Sequence, residues 1–170
     1  MRSIQLITGT LAVVATSGLI GLGHAATAAE PTVTHERGIA IECSGTWKHQ
    51  HVYALVYENS TAGNTVQVVV NDGEYGAGRD SARAFRDGRQ VRAAVRLDGR
   101  RAVIEGTARV VGRRTPVHEE LEDAGQLIVA DGHHRRLATD LDLTWRGRSV
   151  PLDCDGSFRY ALRVTKTPIG

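Results

Sequence analysis

Four aspartates occupy alternating positions in two neighbouring β-rich segments: Asp140 and Asp142 in one, and Asp153 and Asp155 in the next. A tight turn at Gly147-Arg148 would set Asp142 opposite Asp153 and Asp140 opposite Asp155. Like charges that face each other across paired strands are destabilising. Carboxylate oxygens are ligands that Ca²⁺ prefers, so the four aspartates are candidate Ca²⁺ ligands. A carboxylate pair of a glycosidase type is an alternative.

Basic residues close to these aspartates offer another way to neutralise them. The nearby arginines are Arg136, Arg146, Arg148 and Arg159. No EF-hand spacing and no repeated Gly-Asp motif occurs in the sequence. Neutralisation by arginine, or a shifted strand register, is therefore favoured over a bound cation.

Histidines give a weaker indication of a metal site. His49 and His51 alternate, so their imidazoles could lie on one face of a strand and bind zinc. No third ligand follows at a recognisable spacing, and no serine lies in a G-x-S-x-G motif. The sequence therefore predicts no catalytic residue and no cofactor, and it favours a non-enzymatic protein.

A dense run of arginines lies in the middle of the chain. It comprises Arg79, Arg83, Arg86, Arg89, Arg92, Arg96, Arg100 and Arg101. With Phe85 the run could bind an anionic polymer or an acidic partner. The favoured interpretation is a solvated sheet face whose arginines pair with Asp80, Asp87, Asp98 and Glu105. The whole chain has 21 Lys and Arg against 19 Asp and Glu, which argues against a nucleic-acid partner.

The N-terminal residues predict export. Arg2 precedes a largely apolar stretch, and Ala26-Thr27-Ala28 matches a small-x-small cleavage site. We therefore expect a secretory signal peptide over residues 1–28, a flexible tail over 29–37 and a single domain over 38–170. The mature protein is expected to be extracellular and to have no transmembrane anchor.

The two cysteines are then expected to pair. An oxidising compartment favours a disulfide between Cys43 and Cys154, the only cysteines in the chain. The bond would close a loop of about 110 residues, which corresponds to about 4 to 5 kcal/mol of stabilisation through restriction of the unfolded chain.

Period-two alternation of apolar residues dominates from residue 38 onward and predicts an all-β fold. Ile39, Ile41, Cys43 and Trp47 share one face of the first strand. Turn residues divide the remainder into about eight or nine antiparallel strands, which is typical of a β-sandwich or a closed β-barrel. Two-residue turns are expected at Gly99-Arg100 and Gly147-Arg148.

The last strand is expected to run without interruption from Val150 to Thr165, with Gly156 inside it. On this reading Phe158 and Tyr160 continue the inward face that Val150, Leu152 and Cys154 begin. Leu137 would lie opposite Phe158 in the hairpin.

Gly45-Thr46-Trp47 resembles the glycine-x-tryptophan signature of lipocalins, and Thr139-Asp140 resembles part of their second signature. This resemblance covers about five residues. It implies an eight-stranded barrel that carries a small apolar ligand, with Trp47 closing one end. Leu141 stands where the second signature usually has tyrosine, and no family is assigned.

The function expected from these features is binding. We expect a secreted, disulfide-linked β-domain that acts as a binding or interaction module, with an extracellular protein or a small apolar ligand as its partner. A lipocalin-like carrier is one alternative, and its cavity would be lined by inward residues such as Tyr53, Leu55, Phe158 and Tyr160. A small extracellular hydrolase that uses surface carboxylates is the other.

Overall fold

The computed structural model describes residues 30–169, and the predicted signal peptide, residues 1–28, lies outside them. Within this range the chain forms eleven strands and one short 3-10 helix, Asn71–Gly73. The strands are β1 (Thr32–Trp47), β2 (Gln50–Asn59), β3 (Gly63–Val70), β4 (Tyr75–Ser81), β5 (Arg86–Asp87), β6 (Gln90–Leu97), β7 (Arg100–Val110), β8 (Thr115–Asp123), β9 (Gln126–Trp145), β10 (Arg148–Leu152) and β11 (Phe158–Pro168). No helix in residues 30–169 has the length and apolar character needed to span a membrane.

Hydrogen bonds join these strands into one antiparallel sheet in the order β4-β3-β2-β1-β11-β9-β7-β6-β5, with β8 and β10 as further partners of β9. The first half of β9 pairs with β8 and β11, and its second half pairs with β7 and β10. A bridge between Ser44 and Asp153 brings the end of β10 beside β1. We call the first half of β1, β11, the first half of β9 and β8 the four-strand segment.

The sheet curls so that both of its ends cover one hydrophobic core. β3 and β4 contact β6, which lies near the opposite end of the strand order. No hydrogen-bonded ladder joins these strands in the described part of the chain, so the sheet is not closed. The predicted antiparallel all-β fold is confirmed, with eleven strands instead of eight or nine.

Alternation places the core residues. Ile39, Ile41, Cys43 and Trp47 are all buried, as their shared parity predicts. The Trp47 ring lies 4.6 Å from the ring of Trp145 between centroids, and the Trp145 indole N–H donates to the carbonyl of Leu97 at 3.2 Å. Full burial of each large apolar side chain contributes about 1.5 to 3 kcal/mol.

The predicted disulfide between Cys43 and Cys154 is confirmed, with a sequence separation of 111 residues. It lies next to the bridge in which Ser44 and Asp153 exchange two backbone hydrogen bonds of 2.7 and 2.8 Å. The covalent bond and this bridge therefore fasten the end of β10 to β1.

Both predicted hairpins form, but their registers differ by two residues from the prediction. The turns are Asp98-Gly99 and Arg146-Gly147, and all four residues have positive φ, from 49° to 72°. Positive φ at both central positions defines a type I′ turn, which matches the twist of the flanking strands. Val150 consequently pairs with Leu143, and Asp142 faces Pro151 instead of Asp153.

The predicted continuous strand from Val150 to Thr165 is wrong. β10 ends at Leu152, and β11 begins at Phe158 after a turn at Asp155-Gly156. Phe158 therefore pairs with Arg136 instead of Leu137. Because a shift of one residue moves every side chain to the other face, Phe158 and Tyr160 lie opposite the core face, and Arg159 lies on the core face.

Two further expectations also fail. Thr32 to Arg37 belong to β1 and pair with β11, because β11 offers them an otherwise free strand edge, so these residues are not a flexible tail. Tyr53 and Leu55 do not point inward. On β2 the buried residues are instead the alternate positions Val52, Ala54 and Val56.

Candidate functional site

A cavity of about 370 Å³ lies at one end of the hydrophobic core. Its lining consists of Arg37, Val110, Arg114, His133, Arg135, Arg159, Tyr160 and Ala161. The buried residues Ile39 and Leu137 follow Arg37 and Arg135 by two positions on the same strands. On these two strands the core face thus changes from apolar to basic over two residues. We call this site the arginine cavity.

Strand register brings three of the arginines together. Arg159 of β11 lies opposite Ile39 of β1 on one side and opposite Arg135 of β9 on the other. In the adjacent row Ala161 lies between Arg37 and His133. Neighbouring strands are about 4.7 to 4.9 Å apart, and diagonal neighbours about 7 to 8 Å apart. The long, flexible arginine side chains can therefore reach a common ligand.

The fourth arginine comes from the loop between β7 and β8. The Val111 N–H donates to the carbonyl of Arg136 at 2.8 Å, and Nη2 of Arg135 donates to the carbonyl of Gly112 at 3.1 Å. Gly112 has a φ of 71°, which a glycine adopts without strain. These contacts hold the loop against β9 and place Arg114 at the cavity.

None of the four arginines has an ion-pair partner among residues 30–169. The carboxylates closest in register are engaged elsewhere. Asp131 contacts Nδ1 of His118 at 2.6 Å. Glu58 accepts hydrogen bonds from the backbone N–H groups of Phe85 and Arg86 at 2.6 and 2.7 Å. The positive charge of the arginine cavity is therefore not neutralised by the protein's own acids in this region.

Arg135 also carries a donor without an acceptor. Its Nε is buried, and no group in the described range accepts a hydrogen bond from it. A buried donor left unpaired costs about 1 to 3 kcal/mol. An anion in the cavity could accept from this N–H and from the guanidinium forks of the other arginines. The arrangement supplies positive charge and hydrogen-bond donors, which is the chemistry of anion binding.

The structure does not bring the four predicted Ca²⁺ ligands together. Asp142 faces Glu105 and Pro151, and Asp140 faces Thr107. Asp153 pairs with Ser44 through its backbone, and Asp155 lies in the turn before β11. All four aspartates are exposed.

The two histidines suggested as zinc ligands lie in different local structures. His49 lies in the turn between β1 and β2 with a φ of 69°, and His51 pairs with Thr46. In residues 30–169 no group of three or more His, Cys, Asp or Glu side chains has an arrangement that could hold a metal ion.

The dense arginine run is distributed over several surfaces. Arg92 pairs with Glu105 at 3.8 Å, and the guanidinium of Arg79 lies 5.6 Å from the Phe85 ring centroid. Asp98 pairs with Arg146, which lies outside the run. Arg79, Arg96 and Arg101 border an open groove on the surface. Pairing of the run with its acids therefore occurs at Arg92, while Arg96 and Arg101 lie side by side.

Sequence reasoning did not select Arg37, Arg114, Arg135 or His133, and it assigned Arg159 to neutralise the aspartates. A usable signal was present in β9. Leu137, Leu141, Leu143 and Trp145 share one parity, and the same parity continues backwards to Arg135 and His133. A core-facing series that ends in charged residues predicts a charged site where the core ends.

Comparison with protein-family models, with characterised proteins and with solved structures finds no match to this chain. The arginine cavity therefore has to be interpreted from its own geometry and charge.

Proposed function

We propose that this protein is a secreted binding module whose arginine cavity holds a small ligand with several negative charges. One observation carries the proposal: four arginines line a single cavity, and no carboxylate in residues 30–169 pairs with any of them. Arginine binds phosphate, sulfate and carboxylate groups through paired N–H donors, which gives both affinity and orientation.

The number of arginines favours a ligand with more than one anionic group. A single anion would neutralise one or two guanidinium groups and leave the others without a counter-charge. An oligophosphate or a polysulfated small molecule would present several oxygens across the rows formed by Arg37, Arg159 and Arg135. The concave shape favours a compact ligand over a nucleic-acid duplex, which agrees with the low net charge of +2.

Export is supported by two features. The N-terminal sequence has the organisation of a signal peptide, and the disulfide between Cys43 and Cys154 suits an oxidising compartment. Expression of the full chain in a secreting host should release a protein that begins near Ala29. Retention of an uncleaved N-terminus in the cell would contradict this part of the proposal.

The two alternatives have less support. A lipocalin-like carrier requires a closed barrel around an apolar cavity, but the sheet is not closed, and Tyr53, Leu55, Phe158 and Tyr160 lie away from the core face. A hydrolase that uses Asp140, Asp142, Asp153 and Asp155 requires carboxylates that converge in a groove. In the structure these aspartates are exposed and face different neighbours.

Calorimetric titration with inorganic tripolyphosphate tests the proposal. We expect one binding site per chain and at least about tenfold tighter binding of tripolyphosphate than of orthophosphate, since more guanidinium groups are engaged. Arg159→Gln should weaken binding by about tenfold or more, because a charge-assisted hydrogen bond contributes about 1.5 to 3 kcal/mol.

Arg100→Gln is the matched control, because it removes the same charge from an exposed position at the start of β7. It should change the dissociation constant by less than about twofold, as expected for a distant screened charge. Equal losses in Arg159→Gln and Arg100→Gln would show a nonspecific charge effect and would overturn the proposal.

A further inference from the structure

A second concave site lies on the four-strand segment and the adjoining strand β2, on the face opposite the row of Arg37 and Arg159. It is a groove of about 160 Å³, lined by Glu36, Tyr57, Val117, Glu119, His134, Phe158, Tyr160 and Leu162. Four of the lining residues carry aromatic rings, and two carry carboxylates. We call this site the aromatic groove, and its lining shares only Tyr160 with that of the arginine cavity.

The aromatic rings form a continuous row. The ring centroids of Tyr57 and Tyr160 are 6.2 Å apart with nearly parallel planes, those of Phe158 and Tyr160 are 6.3 Å apart, and those of His134 and Phe158 are 5.4 Å apart. Phe158 and Tyr57 both lie opposite Ala40 on the central strand β1. A small residue at position 40 leaves space above the strand for the rings.

Tyr160 packs over Gly38 of β1. A Cβ atom at position 38 would lie 1.7 Å from the carbonyl oxygen of Glu58 and 2.7 Å from the Tyr160 hydroxyl, so only glycine fits at this position. The hydroxyl donates to the carbonyl of Glu58 at 3.0 Å. Burial raises the pKa of Tyr160, with a hydrogen bond to Tyr57 as a further cause, so the phenol stays neutral and remains a donor. The ring is therefore held in one orientation.

The carboxylates of the groove are available to a ligand. Glu36 accepts hydrogen bonds from the Thr34 hydroxyl at 3.2 Å and from Nδ2 of Asn59 at 2.7 Å, which hold it in place without neutralising it. Neither Glu36 nor Glu119 has an ion-pair partner among residues 30–169. The nearest basic position in register is Arg136, opposite Phe158, and it does not line the groove.

From this combination we propose that the aromatic groove binds an alkylammonium group. Aromatic faces attract cations through their quadrupole, and recognition of quaternary ammonium groups by clustered rings is a recurrent use of this attraction. Two carboxylates add charge complementarity. The groove is smaller than the 300 to 1,000 Å³ that is typical of sites for whole drug-sized ligands, so it would hold a head group.

An NMR titration of the ¹⁵N-labelled protein with choline tests the proposal. Choline should shift the amide signals of β1, β11 and the first half of β9 in a saturable manner. The uncharged isostere 3,3-dimethylbutan-1-ol has the same shape, and it should bind at least about fivefold more weakly, because it lacks the charge that the rings and carboxylates attract.

Two variants on adjacent positions of one strand provide the control. Glu119→Gln removes a groove carboxylate, and Glu120→Gln removes the charge of the next residue, which points to the opposite face of β8. Glu119→Gln should weaken choline binding by about threefold, and Glu120→Gln should leave it unchanged. Glu36→Gln should also weaken choline binding, because it removes the other carboxylate charge of the groove. The amide oxygen can still accept from Asn59, so the side chain keeps its position.

Three outcomes would overturn the proposal. They are the absence of saturable shifts in the groove, equal affinities for choline and its neutral isostere, and equal effects of Glu119→Gln and Glu120→Gln. None of these measurements depends on anion binding, so the proposals for the two sites are tested independently.

Discussion

Of two groups of arginines in this protein, one is close together in sequence but dispersed in space, and the other is dispersed in sequence but close together in space. The dense run from Arg79 to Arg101 is compact in sequence, but its members are distributed along four strands and two connections. Arg37, Arg114, Arg135 and Arg159 span most of the domain in sequence, and they line one cavity. Charge density along the chain is therefore a poor guide to charge density in a β-fold.

The physical reason is alternation. Consecutive residues of a strand point to opposite faces, so a run of like residues is divided between the two faces. Arg92 on β6 meets Glu105 on β7, and the run is partly neutralised there. Residues far apart in sequence instead become neighbours when their strands pair, as Arg159 and Arg135 do. Convergence of charge requires the correct register.

Removal of the disulfide should have the largest effect. In the double variant Cys43→Ala/Cys154→Ala we expect the free energy of unfolding to fall by about 2 to 5 kcal/mol, measured by urea denaturation. Cys154 lies between β10 and β11, so the bond holds β1 near the start of β11. These two strands carry Arg37 and Arg159. Tripolyphosphate should therefore restore less stability to this variant than to the intact protein. An equally stable variant would show that the bond is not structural.

A pair of double variants compares the two groups of arginines directly. Arg135→Gln/Arg159→Gln should weaken tripolyphosphate binding by about a hundredfold, if each lost charge-assisted contact contributes about 1.4 kcal/mol or more. Arg96→Gln/Arg101→Gln removes two facing arginines of the dense run. It should change binding by less than about twofold. A reversed order in calorimetric titrations would place the anion site in the dense run.

Stability without ligand should change in opposite directions in the two groups. Arg159→Gln relieves repulsion among unpaired guanidinium groups, and it should raise the free energy of unfolding by about 0.5 kcal/mol at low salt. Arg92→Gln removes the ion-pair partner of Glu105. Both side chains are half or more exposed, so the free energy of unfolding should fall by at most about 0.5 kcal/mol. Thermal unfolding at two salt concentrations measures both changes, and a loss of stability in Arg159→Gln would contradict the unpaired charge.

The smallest effect should come from His118. Its hydrogen bond to Asp131 and the charge of that carboxylate raise the pKa of His118 above its ordinary value of 6.5. The stabilisation is therefore fully present below that ordinary value and is lost as pH rises through the higher pKa of the folded state. Asp131 then loses its positive partner close to the arginine cavity, and tripolyphosphate affinity should fall by about twofold.

His118→Gln is the control for this pH effect, because it removes the imidazole and keeps a neutral side chain at position 118. The variant should reduce the fall in affinity between weakly acidic and weakly basic pH. An unchanged pH profile would show that His118 is not the source of the effect.

Much of the architecture could be predicted from the sequence. The alternation of Ile39, Ile41, Cys43 and Trp47 predicts a half-buried strand, and the two cysteines predict the bond between its end and the last hairpin. The hairpins at Gly99 and Gly147 were also predicted, although the turns use Asp98 and Arg146 as their first central residues. A two-residue turn can start one position earlier without changing which face is apolar, so alternation alone could not fix the register.

The two candidate sites could not be predicted in this way. The turn between Cys154 and Phe158 moves Arg159 to the core face and Phe158 and Tyr160 to the opposite face. A continuous strand would have reversed these positions. Tertiary pairing of β11 with both β1 and β9 determines the outcome, since it satisfies the backbone of both edges.

The sequence by itself determined the fold class, the core face of β1 and the covalent link, because alternation and the pairing of two cysteines are local or binary properties. Only the tertiary structure decided which charged and aromatic residues meet. Their meeting depends on strand register across the sheet, and a single inserted residue in one turn exchanges the two faces of every strand residue that follows.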